Sequence, residues 1–239
     1  MARIISRSPV FLRLGFLIAA AALASAACSQ PSQTTVPAAP SPSPEASSGA
    51  VRIVVLGDSL AAGLGLAADE AFPAVVESLL RDRGHQVDVV NAGVSGDTSA
   101  GGLARLDWVL QRPADVLVVE LGGNDALRGQ DLESTEANLR SIVRRGRAAG
   151  ARVLLLGMDV PSNYGPDYGS RFAALYERLA AEEGVPLVPG FVREVGADPA
   201  LLQPDGLHPT AEGQRRLAET LLPHVEALLP EAPSIAGAA

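Results

Sequence analysis

Between Val51 and Leu229 short apolar runs alternate with amphipathic stretches, and the two kinds of segment have different periods. Near-continuous apolar runs at Val51 to Gly57 (VRIVVLG), Gln86 to Asn91 (QVDVVN), Asp115 to Leu121 (DVLVVEL) and Arg152 to Gly157 (RVLLLG) read as strands buried on both faces. A shorter fifth run lies at Val185 to Val188. Between the runs, apolar positions three and four apart mark helices. They are Val75, Val76, Leu79 and Leu80, stopped by Gly84; Leu103 and Leu106, toward Leu110; Leu139, Ile142 and Val143, stopped by Gly150; and Phe172, Leu175, Tyr176 and Leu179, stopped by Gly184. A last helix carries Leu217, Leu221, Leu222, Val225 and Leu229, and Pro223, which has no backbone N–H, is expected to kink or split it. This alternation predicts an α/β domain over residues 51–229, a parallel sheet with helices on both faces joined by right-handed crossovers.

The segments ahead of that domain follow other rules. Arg3, Arg7 and Arg13 precede an apolar run from Leu14 to Ala27 that ends in small residues, the pattern of an export signal over residues 1–27. The run is too short to span a bilayer. Cys28 follows directly, the only cysteine of the chain. Its place resembles that of the lipidated cysteine of bacterial lipoproteins, except that Ser25 stands where that class usually has leucine; the alternative is a soluble periplasmic protein cut after Ala26 or Ala27. Residues 28–50, with five prolines and six serines after Cys28, cannot bury enough surface to fold and read as a linker, roughly 25 Å long as a coil and up to about 70 Å extended. Residues 230–239 are small and turn-rich and are expected to fray.

Composition narrows the chemistry. All 19 basic residues are arginine, so reactions that need an ε-amine, such as Schiff-base and pyridoxal chemistry, are excluded. The net charge of −8 becomes −11 once residues 1–27 are removed, which repels polyanions and argues against a nucleic-acid partner. A lone cysteine allows neither an internal disulfide nor a cysteine-rich metal site. The three histidines, His85, His208 and His224, lack short ligand spacing, so no metal is expected.

In a parallel sheet, chemistry gathers at the carboxyl ends of the strands. Polar, glycine-rich turns follow the first three strands there: Gly57-Asp58-Ser59-Leu60, Asn91 to Thr98, and Gly122-Gly123-Asn124-Asp125. Beyond the fifth strand lies Asp205-Gly206-Leu207-His208-Pro209. These are the parts of acyl transfer. A serine hydroxyl (Ser59) needs a neutral imidazole (His208) to take its proton, and the imidazole needs a carboxylate (Asp205) to fix its tautomer. Backbone N–H groups at Ser59 and Gly96 and the amide of Asn124 can hold the oxyanion. Asp58 reads as a group that holds the loop, and Asp125 as a cap. His85 precedes the second strand, on the amino edge, and His224 lies in the last helix, so neither competes with His208 as base. The G-x-S-x-G elbow of α/β-hydrolases is absent.

At these residues the chain resembles the SGNH hydrolase (GDSL esterase/lipase) superfamily, whose four blocks are matched by Gly57 to Leu60, Gly96, Gly122 to Asp125, and Asp205 to His208. Ser95 to Leu106 (SGDTSAGGLARL), Glu120 to Gly129 (ELGGNDALRG) and Pro161 to Tyr168 (PSNYGPDY) look like its bacterial periplasmic thioesterase I, arylesterase and lysophospholipase subgroup. The resemblance implies a three-layer, flavodoxin-like fold with strand order 2-1-3-4-5, no cofactor, and a Ser-His-Asp hydrolase for small ester, thioester or lysophospholipid substrates. An acyltransferase would use the same residues, and a non-catalytic binding lipoprotein would be expected to lack one of them. The segment Met158 to Tyr168 (MDVPSNYGPDY), rich in Gly and Pro, is expected to be a surface loop beside the acyl pocket, with Met158 and Tyr164 lining it; Tyr164 acting only as a brace is the alternative.

Overall fold

The computed structural model describes residues 49–160 and 164–230. The export signal, the linker with Cys28, most of the tail and residues 161–163 of the Met158 to Tyr168 segment lie outside the described residues. Five strands form one all-parallel sheet in the order β2-β1-β3-β4-β5, with β1 at Val51–Gly57, β2 at Val87–Gly93, β3 at Val116–Glu120, β4 at Arg152–Leu156 and β5 at Leu187–Val188. The crossovers are α2 (Phe72–Asp82), α3 (Ser99–Val109), α5 (Leu132–Ala148) and α6 (Pro166–Glu183), and the chain closes with α7 (Arg193–Ala197) and α8 (Ala211–Glu226). Two single-turn helices, α1 (Ser59–Ala62) and α4 (Gly123–Leu127), sit at the carboxyl ends of β1 and β3. No helix among the described residues is long and apolar enough to cross a membrane.

Alternation along the strands divides the core into two layers. Val54, Leu56, Leu117, Val119, Val153 and Leu155 face α3, α5 and α6, where they meet Leu106, Leu139, Ile142, Phe172 and Tyr176. Ile53, Val55, Val116, Val118, Leu154 and Leu156 face α2 and α8, where they meet Phe72, Val76, Leu80, Leu217 and Leu221. The central strands are therefore buried on both sides, which is why β1 and β3 read as continuous apolar runs.

Four elements differ from the expected pattern. β2 continues through Ala92 and Gly93, which pair with Leu56 and Gly57, because Gly93 lies against the backbone of α1 and a Cβ there would sit 2.4 Å from the Ala62 nitrogen. β5 has only two residues. The Met158 to Tyr168 segment is not a surface loop throughout. Met158 is buried in the core, and Tyr168 stands on α6, which begins at Pro166 because proline suits the first helical turn, where no intrahelical donor is required. Pro223 does not split α8, which runs unbroken from Ala211 to Glu226. The missing donor falls in the last turn, while the Pro223 carbonyl still accepts from Ala227.

Candidate active site

The end of β1 is built around Gly57. Its register partner on β3 is Glu120, and a Cβ at Gly57 would lie 2.5 Å from Glu120 Oε2 and 2.6 Å from Ala61 Cβ, so only glycine fits. Asp58 then caps α1, its Oδ1 accepting from the Leu60 N–H at 3.0 Å. This puts Ser59 at the first position of α1 with its side chain at the carboxyl edge of the sheet. Buried Gln214 of α8 donates to Leu60 O (2.9 Å) and accepts from the Phe72 N–H (2.9 Å), tying α1 to α8 and α2.

The partner loop comes from far along the chain. Asp205 Oδ1 accepts from the N–H groups of Leu207 (2.9 Å) and His208 (3.0 Å), an Asx-type turn that folds the loop back on itself. Gly206 at φ +69° completes that turn. Asp205 Oδ2 meets His208 Nδ1 at 2.7 Å, and His208 Nε2 meets Ser59 Oγ at 2.9 Å. Gln203 pins the loop to the far side of the site, donating to Leu64 O and Pro209 O at 2.8 Å each. The backbone and side-chain hydrogen bonds from His208, with that from Leu207, hold the Asp205 carboxyl down at about 2. It is thus an anion at any pH near neutral.

Asn124, on α4, donates through Nδ2 to Asp58 Oδ2 at 2.9 Å, which orients the amide, and its second N–H has no partner among the described residues. Gly96 takes φ +81°, a left-handed conformation that glycine adopts without strain, in the turn after β2. Arg128 of the α4 end donates to Gly96 O at 2.7 Å, so the second and third loops are joined. The structure therefore brings Ser59, Gly96, Asn124, Asp205 and His208 to one edge of the sheet. Asp125 points inward instead, accepting from the Ser99 N–H (2.8 Å), the Ser99 hydroxyl (2.5 Å) and Thr135 (3.3 Å). His85 pairs with Glu226 at 2.9 Å on the amino side, away from the site.

Of the two residues expected to line the acyl pocket, Met158 lies only 4% exposed beneath the third loop, where a Cβ on Gly123 would be 3.6 Å from its methyl group. Tyr164 is half-buried and donates to Leu127 O at 3.2 Å. Its ring centroid is 5.9 Å from that of Tyr168, which stacks in turn on Phe172 at 6.3 Å.

Residues 55–216 match the family described as GDSL-like Lipase/Acylhydrolase. The chain belongs to that family. It is a carboxylic ester hydrolase of the SGNH/GDSL type, with that family's strand order. "Esterase TesA" of Pseudomonas aeruginosa is 46% identical over 179 residues, covering 74% of this chain and 89% of the relative. "Thioesterase 1/protease 1/lysophospholipase L1" of Escherichia coli is 42% identical over 178 residues, covering 74% and 84%. A crystal structure of TesA superposes with a TM-score of 0.73 at 45% identity, covering 74% of this chain and 99% of that one.

Three groups around the GDSL turn escaped the sequence reading. Glu120, fully buried, accepts from the Asp58 N–H at 3.1 Å through Oε2, and its Oε1 has no partner among the described residues. Burial, reinforced by the Asp58 charge, pushes its carboxyl well above the ordinary range. Burial also pushes Asp58 up to about 6, against the opposing pull of Leu60, Asn124 and His208. Arg105 and Gln214 are the others. Only Glu120 carried a sequence signal, as an acid ending an otherwise apolar strand.

Proposed function

We propose that this hydrolase cleaves carboxylic esters and thioesters through an acyl-enzyme on Ser59. The observation that carries the proposal is the continuous hydrogen-bond path Asp205–His208–Ser59, at 2.7 Å and 2.9 Å, made by residues 149 positions apart in sequence. His208 Nε2 takes the hydroxyl proton as Ser59 Oγ bonds to the substrate carbonyl carbon. The resulting imidazolium is stabilised by Asp205 through Nδ1–H. Negative charge on the former carbonyl oxygen is met by the N–H groups of Ser59 and Gly96 and the free N–H of Asn124. Collapse breaks the bond to the alcohol or thiol, which leaves with the proton from His208. Water then repeats the sequence in reverse roles, releasing the acid and restoring Ser59.

Asp58 and Glu120 fit a holding role, Asp58 by fixing the Asn124 amide and Glu120 by fixing the Asp58 backbone. Tyr164 borders the acyl chain, and Met158 closes the floor beneath Gly123. The names of the relatives, esterase and thioesterase/lysophospholipase, support small esters, thioesters and lysophospholipids as the substrate class. Residues 1–27 direct export and Cys28 carries a lipid anchor, so a periplasmic ester or lysolipid, rather than cytosolic acyl-CoA, is the natural substrate. The test is a panel of p-nitrophenyl esters, an acyl thioester and a lysophospholipid offered to the wild-type chain and to Ser59→Ala, with free acid as the measured product. Turnover by wild type and none by Ser59→Ala is expected. Ser59→Ala turning over at the wild-type rate overturns the serine mechanism, and product appearing mainly as a new ester when a competing alcohol is added decides for acyl transfer.

A further inference from the structure

The peptide ahead of the nucleophile is gripped on both of its polar atoms by side chains from other elements. Its N–H, that of Asp58, donates to Glu120, and its carbonyl, that of Gly57, accepts from Arg105 Nη2 at 2.9 Å. Arg105, on α3, does more than close this clamp. Its Nη1 donates to Ala92 O at 2.7 Å, near the end of β2, and its Nε to Asp97 Oδ2 at 2.6 Å, in the residue after Gly96. Asp97 is itself anchored, its N–H donating to Val94 O at 3.0 Å, while the Val94 N–H donates to Gly57 O at 3.0 Å. The seat of the Asp97 carboxylate exists only because position 101 is glycine, where a Cβ would fall 1.7 Å from Asp97 Oδ1.

We propose that Arg105 is a positioning residue that sets the spacing between the two backbone oxyanion donors, Ser59 and Gly96. It does so by locking the ends of β1 and β2 and the Val94 to Asp97 turn into one hydrogen-bonded unit. The proposal rests on the oxyanion assignment made above. A role in stability alone would be served by the Arg105–Asp97 ion pair, yet two of the three acceptors are neutral carbonyls at the strand ends that lead into the donors. The planar, five-donor fork of arginine can bind three divergent acceptors at once, whereas the compact ammonium of lysine cannot match that geometry. Displacement of a donor by about 1 Å is enough to cost on the order of 10²-fold in rate.

The experiment compares full-length wild type with Arg105→Ala, Arg105→Lys and Gly101→Ala. The last leaves Arg105 in place but evicts the Asp97 carboxylate. Competent sites are counted by fluorophosphonate titration run to completion, and kcat and KM for p-nitrophenyl butyrate are expressed per titrated site. Arg105→Ala is expected to lower kcat per site about ten- to a hundredfold with KM changed by less than about twofold. Arg105→Lys should fall between, and Gly101→Ala should lower kcat in the same direction. Wild-type kcat per titrated site in Arg105→Ala overturns the proposal, whatever the change in Tm. Where Arg105→Ala does not fold, wild-type kcat per site in both Arg105→Lys and Gly101→Ala overturns it equally. Ser59→Ala is run alongside as a control, and activity in it would instead strike the serine mechanism, so the two failures are distinguishable.

Discussion

Asp58 has two lone-pair tasks, accepting from the Leu60 N–H with one oxygen and from the Asn124 amide with the other, and it can perform both only as the anion. Burial raises its carboxyl to about 6, so a proton arrives there as pH falls through that value and competes with these two hydrogen bonds. Asp205, held at about 2, contributes nothing in that window. The Asp58 carboxylate is therefore expected to contribute to the acid limb of kcat/KM as pH falls through about 6, and Asp58→Asn should remove that contribution and lower the plateau. An acid limb of the same shape in wild type and Asp58→Asn would remove Asp58 from the site's titration. Asn124→Ala, which deletes one oxyanion donor, should cost on the order of 10²- to 10³-fold in kcat, measured on a soluble ester. Ser59, Asp205 and His208 were legible in the sequence because each sits in a short polar string after an apolar run. Glu120, Arg105 and Gln214 were not, since the bonds that tie them to the turn around Ser59 span 62, 48 and 154 residues and only the folded sheet brings the partners together.

Elements were legible where burial is two-sided. β1 carries its apolar run to the edge of the site, with boundaries matching the pattern, whereas β2, half-covered, extends two residues further than its apolar residues suggest. Composition misled most at α6, where Pro166 and Gly165 look like breakers but serve as a helix start. This changes what Tyr164 and Tyr168 can do, because their rings form a row that is continued by Phe172 along α6 and ends in the core. A row anchored this way can hold an alkyl chain, so Tyr164→Ala should lower kcat/KM more for octanoyl than for acetyl p-nitrophenyl ester; equal losses would leave Tyr164 as a brace for α4 alone. The start of α4 is more constrained still. Gly122 has φ +112°, and a Cβ there would lie 2.1 Å from the Tyr176 hydroxyl. Gly122→Ala is expected to destabilise the fold by about 2 kcal/mol or more and to reduce kcat by moving Asn124, as read by denaturant unfolding alongside kinetics.

At the scale of the whole molecule, a parallel sheet in the order 2-1-3-4-5 puts the loops after β1, β2 and β3 on one edge, and the Asp205 to His208 loop returns to it. Nothing in the local spacing of the four blocks dictates that meeting; the parallel run of the strands does, because it sets every carboxyl end on the same edge. The proposed export signal and lipid anchor have a test of their own. A Cys28→Ala chain is expected to leave the detergent phase while retaining full specific activity, and a wild-type protein found wholly soluble, with no acyl mass on its N-terminus, would decide for plain secretion. The central claim is that this fold activates a single serine, and covalent labelling of the intact chain tests it most directly. After reaction with a fluorophosphonate and peptide mapping by mass spectrometry, the adduct is expected on Ser59 alone, and His208→Ala should label far more slowly. An adduct on Ser95, Ser99 or Ser162, or a wild-type chain that takes no label, would contradict the account.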